Sequence, residues 1–422
     1  MSSVRNGSEA GGAQSAARWR LLPAGASRDV RWIMAGRGVR AFADGFVALL
    51  LPAYLTGLGY TPLAIGAIIT GTLLGSAALT LGVGLVANRF ARRRLLLCAC
   101  LLMIATGCGF ALSTGFWPLL LVGFIGTMNP SQGDVSLFLP IEQTMLVHSV
   151  TAKDRTALFA RYSIVGTLMG ALGSLAAGIP EWISATAGVS ETGAISAMFL
   201  LYGLIGAVAA LLYRPLSDAV EPAPEAPQAA LGPSRRIVYG LAAVFSLDSF
   251  GSGFVVQSLL ALWLYKTFDL SLVTAGQIFF WMSLCATASF LLAVPLARRI
   301  GLIPTMVFTH LPANFLMMLV PFVSSLPVAI ALLMVRSLLA QMDVPARSSY
   351  VMAVVTPAER PAAASITAVP RSLATAVAPL IGGWLMTLSP FGWILVVGGG
   401  LKALYDVLLL LGFRKVKPPE EA

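Results

Sequence analysis

Twelve apolar stretches, separated by short polar turns, follow one another from residue 32 to residue 413. A helix that crosses a bilayer needs about 20 apolar residues, and backbone in hydrocarbon must satisfy its own hydrogen bonds. The stretches 32–54, 63–86, 95–111, 117–148, 157–177, 194–213, 238–265, 272–297, 304–322, 327–355, 362–388 and 392–413 meet that demand as helices, called here spans 1 to 12. Only 11% of the residues are charged and 57% are hydrophobic, against roughly 25% charged in soluble domains. The expected fold is an all-α integral membrane protein of twelve transmembrane helices.

Turn chemistry punctuates the spans. Gly57-Leu58-Gly59-Tyr60-Thr61-Pro62 closes span 1, Ser113-Thr114-Gly115 separates spans 3 and 4, and Gly178-Ile179-Pro180 stops span 5. Span 4 holds Asn129-Pro130 and Pro140, which predict a kink. Pro345 interrupts span 10, and Pro370 and Pro379 lie in span 11. Residues 1–30, rich in Ser, Gly, Ala and Arg, read as a disordered cytoplasmic tail with no secretory leader. Residues 214–236, with Pro215, Pro222, Pro224, Pro227 and Pro233, read as a cytoplasmic linker. It joins an N-terminal bundle (31–213) to a C-terminal bundle (237–413), and 414–422 forms a second cytoplasmic tail.

Two segments recur at about half the chain length. The basic turn from Gly84 to Arg94, with Arg89 and Arg92 to Arg94, returns in weaker form from Val294 to Gly301, a shift of 294 − 84 = 210. Residues 140–155 read PIEQTMLVHSVTAKDR and residues 345–360 read PARSSYVMAVVTPAER, a shift of 345 − 140 = 205. Pro140, Val150, Thr151, Asp154 and Arg155 meet Pro345, Val355, Thr356, Glu359 and Arg360. Two pseudo-symmetric six-helix repeats of parallel topology follow.

Sidedness comes from the loops. Arg18, Arg20, Arg28 and Arg31 precede span 1, and Arg414, Lys415 and Lys417 follow span 12. Lys153 and Arg155, Arg214, Arg235 and Arg236, Arg298 and Arg299, and Arg360 all fall on the same side, whereas Lys266 is the only Lys or Arg in the opposite loops. The positive-inside rule makes the Arg-rich side cytoplasmic, with both termini there.

On these residues the chain resembles the major facilitator superfamily of secondary transporters. Its loop between spans 2 and 3 is commonly G-x-x-x-D-R-x-G-R-R; Gly84, Arg89, Arg92 and Arg93 match, whereas Asn88 replaces the acid and Ala91 the second glycine. The resemblance implies that this loop belongs to a cytoplasmic gate facing the start of span 11. It further implies that spans 1, 4, 7 and 10 line a central cavity. Ala378-Pro379-Leu380-Ile381-Gly382-Gly383 resembles the Pro-Gly segment of antiporters, here in span 11 rather than span 5.

Ionisable residues inside a membrane are costly and point to function. Span 1 holds Arg37, Arg40 and Asp44; span 4, Asp134 and Glu142; span 7, Asp248; span 10, Arg336, Asp343 and Arg347; span 12, Lys402 and Asp406. Arg37, Arg40 and Asp44 share one helix face, and Arg40 can pair with Asp44 locally. The substrate- and proton-binding set is therefore Arg37, Arg40, Asp44, Asp134, Asp248 and Arg336. Arg336 is expected to pair with one of the acids or to hold an anionic substrate. Glu142 and Arg347 occupy equivalent repeat positions (142 + 205 = 347) with opposite signs, so an ion pair between the halves is expected to complete the gate of Gly84, Asn88, Arg89, Arg92 and Arg93. Lys402 and Asp406 read as a structural i,i+4 pair.

Other chemistries find no support. The net charge of +10 is spread over many loops, so nucleic acid is not an expected partner. Cys98, Cys100, Cys108 and Cys285 lie in apolar runs without metal-type spacing, and His148 and His310 are far apart. No enzyme, metal or cofactor is expected; the proton is the expected coupling ion. The expected function is alternating-access transport of a small solute, by proton-coupled antiport for export. Proton-coupled uptake and a non-transporting receptor or scaffold of the same fold are the alternatives. The expected setting is the plasma membrane (the inner membrane in a bacterium), with the protein a monomer in lipid.

Overall fold

A computed structural model describes residues 27–86, 90–131, 136–148, 152–218, 221, 231–356 and 359–413. The N-terminal tail to residue 26, Asn88, Arg89, Asp134, most of the central linker and the tail after Phe413 lie outside the described residues. Among the described residues all regular structure is helical. Eleven helical stretches among the described residues are long and apolar enough to cross a membrane. Spans 1 to 3 are α1 (Arg28–Gly57), α2 (Pro62–Val86) and α3 (Arg92–Leu112). Span 4 is interrupted, α4 (Phe116–Ile125) being followed by α5 (Phe138–His148). Its kink is a full break: Asn129 accepts from the Ser131 N–H at 3.1 Å, closing a local turn where Pro130 cannot donate.

Spans 5 and 6 are α6 (Ala152–Ala176) and α8 (Glu191–Tyr213), with a short α7 (Ile179–Ala187) between them. Gly178-Ile179-Pro180 thus stops one helix and starts another, because Pro180 suits a helical first turn. In the second half, span 7 divides into α9 (Arg235–Gly253) and α10 (Gln257–Phe268), a break that the apolar pattern hides. A Cβ on Gly253 would lie 2.3 Å from the Thr375 carbonyl, so the backbones touch where the helix ends. Spans 8 and 9 are α11 (Leu272–Ile300) and α12 (Leu302–Leu319). Span 10 divides into α13 (Leu326–Ala340) and α14 (Asp343–Ala353), and spans 11 and 12 are α15 (Arg360–Leu388) and α16 (Trp393–Phe413).

Three apolar cores organise these helices. One joins both halves and includes Leu50 and Ile68 of the first with Trp263 and Ile394 of the second. The other two belong to single halves: Ile33, Leu146 and Tyr213 in the first, and Leu241, Tyr350 and Leu409 in the second. The shared core lies away from the Arg-rich loops, and the separate cores lie toward them. The halves meet where α2 packs on α15, α6 on α11 and α1 on α10. Side-chain bridges between the halves share that location. The Leu380 N–H donates to the Thr70 hydroxyl at 2.9 Å, and the Val273 N–H to Glu181 at 3.0 Å. The molecule is closed on the face opposite the Arg-rich loops.

One junction explains itself from sequence. Pro52 lies inside α1 and has no N–H, so the Ala48 carbonyl loses its helical donor. Ser258, at the start of α10 in the other half, supplies one: its hydroxyl sits 2.6 Å from that carbonyl. The Ser258 N–H donates to the Pro130 carbonyl at 3.1 Å. The breaks in spans 4 and 7 therefore satisfy each other across the two halves.

Candidate functional site

In the first half, α1, α5, α6 and α8 enclose a buried carboxylate. Glu142 accepts from Arg40 at 2.6 Å and from the hydroxyls of Tyr162 and Tyr213. Arg40 also donates to the Tyr213 hydroxyl at 3.0 Å and stacks 3.8 Å above the Phe138 ring. Both ions are almost fully buried, at 2% and 0% exposure, so geometry this complete is what lets the pair persist. Arg40 does not pair with Asp44, as local spacing suggested. Asp44 is buried and makes no hydrogen bond or salt bridge to the described residues.

The second half holds a larger network between α9, α12, α14 and α16. Asp248 accepts from Lys402 at 2.7 Å and from Arg347 at 3.0 Å. Arg347 also lies 3.6 Å from Asp343, one turn earlier on α14. Lys402 continues to the Ser252 hydroxyl at 2.6 Å. Asp406 takes the His310 Nδ1 at 3.0 Å and the Asn314 amide at 2.9 Å. The expected Lys402–Asp406 pair is thus replaced by partners on other helices. The expected Glu142–Arg347 pair between halves is not formed in this structure either, since each is bound within its own half.

Several cations are left with unmatched donors. Arg37 Nε, Arg161 Nη1 and Arg336 Nε are buried without a hydrogen-bond partner among the described residues. Arg37 rests over the Tyr162 ring at 5.1 Å, and Gly166 leaves room for its guanidinium. Arg336, expected to pair with an acid or await an anion, pairs with none of the described acids. Arg371 donates to the Ser249 hydroxyl at 3.0 Å and forms no salt bridge to the described acids. In the described spans the acids are engaged except Asp44, while the arginines are in surplus.

The model of the Major Facilitator Superfamily matches residues 33–326 and 241–422. The chain belongs to the major facilitator superfamily. An uncharacterized membrane protein of Saccharomyces cerevisiae, YJR124C, is 24% identical, the match covering 92% of this chain and 94% of the yeast protein. Among solved structures, the inward open xylose transporter XylE from E. coli superimposes with a TM-score of 0.70 at 14% identity, covering 93% of this chain and 98% of its own. A bacterial homolog of the human lysosomal transporter Spinster, inward-facing and occupied, gives 0.70 at 14%, covering 91% and 96%. The human organic anion transporter MFSD10 gives 0.62 at 18%, covering 90% and 99%. Membership of this superfamily identifies the chain as a membrane-embedded secondary transporter.

The superfamily's loop between spans 2 and 3 is modified here. Of the residues expected to form a gate, Asn88 and Arg89 lie outside the described residues, and a Cβ on Gly84 would meet open space. The acid at the head of α3 comes instead from the linker: Glu221 accepts from the N–H groups of Arg92 and Arg93 at 2.7 and 2.9 Å. A carboxylate at a helix N-terminus complements its exposed N–H groups and dipole. Arg93 in turn donates to the Leu216 carbonyl at 2.9 Å. At its other end the linker meets Glu359 at the head of α15, which accepts from the Gly232 N–H at 2.5 Å and the Ser234 hydroxyl at 2.7 Å. Both ends of the linker are therefore tied to helix starts.

His310, Asn314, Lys402 and Asp406 escaped the sequence-derived site set. The signal available was the i,i+4 spacing of His310 to Asn314 and of Lys402 to Asp406, on spans that the superfamily places outside the cavity.

Proposed function

We propose that this protein is a proton-coupled transporter of small organic anions, exporting them in exchange for protons by alternating access. The carrying observation is the surplus of membrane cations: among the described residues Arg37, Arg161 and Arg336 have buried donors without partners, whereas one membrane acid, Asp44, lacks a counter-ion. Unsatisfied guanidinium donors in hydrocarbon favour a carboxylate, sulfonate or phosphate group that can accept from them. The fold of the human organic anion transporter MFSD10 accommodates such cargo.

Asp44 is the proton carrier in this reading, neutral and charged in turn as the cavity opens to each side. The Arg-rich face is cytoplasmic, and the arrangement closed on the opposite face is the inward-open state of a monomer in the plasma membrane. The Pro-Gly segment in span 11 supports export over uptake.

Purified protein in liposomes under an imposed pH gradient, supplied with a panel of carboxylates, sulfonates and phosphate esters, tests this. Gradient-driven anion flux that Asp44→Asn abolishes, with exchange of unlabelled for labelled anion retained, is the expected result. Flux that ignores the gradient, or anion preference unchanged by Arg37→Gln and Arg336→Gln, would overturn it.

A further inference from the structure

Away from the unmatched arginines, the network around His310 holds a feature the transport reading does not use. Asp248, Asp343, Asp406, Arg347, Lys402 and His310 are between 0% and 7% exposed, so no bulk water screens them. Three carboxylates face two fixed cations in direct contact. The nearest further cation, Arg371 on α15, touches Ser249 rather than a carboxylate and is partly exposed. Among the described residues the polar neighbours include Ser252 on α9, Tyr405 on α16 and Asn314 on α12, whose amide nitrogen lies 3.2 Å from the His310 Nδ1; none of the three brings a charge.

The imidazole sits between two of the acids. Its Nδ1 is 3.0 Å from Asp406 and its Nε2 3.9 Å from Asp248. Neutral imidazole has one N–H. Spent on Asp406, which can only accept, it turns the lone pair of Nε2 toward a second carboxylate. A proton on Nε2 converts that repulsion into a charge-assisted contact and balances the cluster.

We propose that His310, held between Asp406 and Asp248, is a second proton-binding site, built where spans 9 and 12 meet span 7. It rests on the proton-coupled reading above and adds to it a site that sets the conformational balance. Protonated His310 competes with Lys402 for the same oxygen of Asp248 and so alters how Asp248 holds Arg347. Span 7 is thereby released from or fastened to span 10.

The test uses the proton itself as ligand. Spin labels at Phe90→Cys and Ile300→Cys, exposed ends in the two halves at 52% and 42%, report opening of the Arg-rich face. The four native cysteines are replaced first, and distances are read in nanodiscs across about pH 5 to 8, where histidine charge changes. The open-to-closed ratio should move several-fold, within the limit of about tenfold per pH unit for one linked proton.

His310→Gln keeps a donor for Asp406 but cannot take the proton, so the ratio should stay at the parent's high-pH value. His310→Lys carries a fixed positive charge beside Asp406 and Asp248 and should stay at the low-pH value. Two variants held at opposite extremes cannot be mistaken for two failures to fold. A His310→Gln ratio that titrates like the parent overturns the proposal. If Asp44→Asn alone abolishes the titration, the proton-coupled reading stands and the His310 site falls. A parent ratio flat with pH also overturns the site, and leaves proton coupling to the liposome assay.

Discussion

Glu142 and Arg347 hold equivalent places in the two repeats, yet each is bound to a partner on the first helix of its own half. Glu142 meets Arg40 of α1 at 2.6 Å, and Arg347 meets Asp248 of α9 at 3.0 Å. The device is duplicated with its polarity reversed, acid on span 4 and base on span 1 in one half, base on span 10 and acid on span 7 in the other. Removing one partner of a buried pair strands the other charge at about 3–5 kcal/mol. Arg40→Met and Glu142→Gln should each lower the thermal unfolding temperature in detergent. The swap Arg40→Glu with Glu142→Arg should recover part of the loss. The swap of Glu142 with Arg347 should recover none.

Gly66 of α2 and Gly383 of α15 let the two halves touch at backbone distance. A Cβ at Gly66 would lie 2.4 Å from the Pro379 carbonyl, and one at Gly383 would lie 2.4 Å from the Pro62 carbonyl. Backbone cannot yield as a side-chain tip can, and overpacking of this kind costs about 1–3 kcal/mol. That cost falls on the arrangement closed at this face and not on one that separates α2 from α15. Gly383→Ala should therefore shift the population toward opening opposite the Arg-rich loops. Thiol labelling of an introduced cysteine at that face, faster in the variant, is the measurement.

The helices were legible because hydrocarbon leaves a chain few choices, and the repeat was legible because loop residues such as Arg155 and Arg360 survive in register. The ion pairs were not. Spacing on a single helix suggested Arg40 with Asp44 and Lys402 with Asp406, but an i,i+4 contact contributes only a few tenths of a kcal/mol. A buried guanidinium gains more from a carboxylate and a hydroxyl on other helices, as Arg40 does from Glu142 and Tyr213. His310 was passed over because its acid lies 96 positions away in sequence. The break in span 7 was hidden because the Thr375 carbonyl that crowds Gly253 belongs to a distant helix.

Glu359 predicts an acid-sensitive attachment of the linker. Hydrogen bonds from the Thr356 hydroxyl, the Ser234 hydroxyl and the Gly232 N–H hold its carboxyl down at about 2. An unfolded glutamate titrates at about 4.3, so the folded value is depressed. Its contribution is fully present above the unfolded value and fades as pH falls toward the folded one. Glu359→Gln should therefore unfold at lower temperature than the parent near neutral pH. The gap should narrow as the pH is taken from about 5 to about 3. A gap that widens in acid would contradict this account of the attachment.

Ser258 and Pro52 form a cross-half dependence that a double-mutant cycle can isolate. The Ala48 carbonyl lacks a helical donor because position 52 is proline, and the Ser258 hydroxyl fills the gap at 2.6 Å. Ser258→Ala leaves that carbonyl unpaired in a dry interface, at about 1–3 kcal/mol. The same change should weaken closure opposite the Arg-rich face, since the hydroxyl bridges the two halves. Pro52→Ala restores an N–H that can bond to Ala48 within α1, so the carbonyl no longer needs Ser258. The serine change should then cost distinctly less in the Pro52→Ala background than in the parent. If the two effects simply add in thermal unfolding, the carbonyl freed by proline is not what draws Ser258 across the interface. A positive coupling would show that a helix defect in one half is repaired by a side chain of the other, so that closing the face also completes the helix.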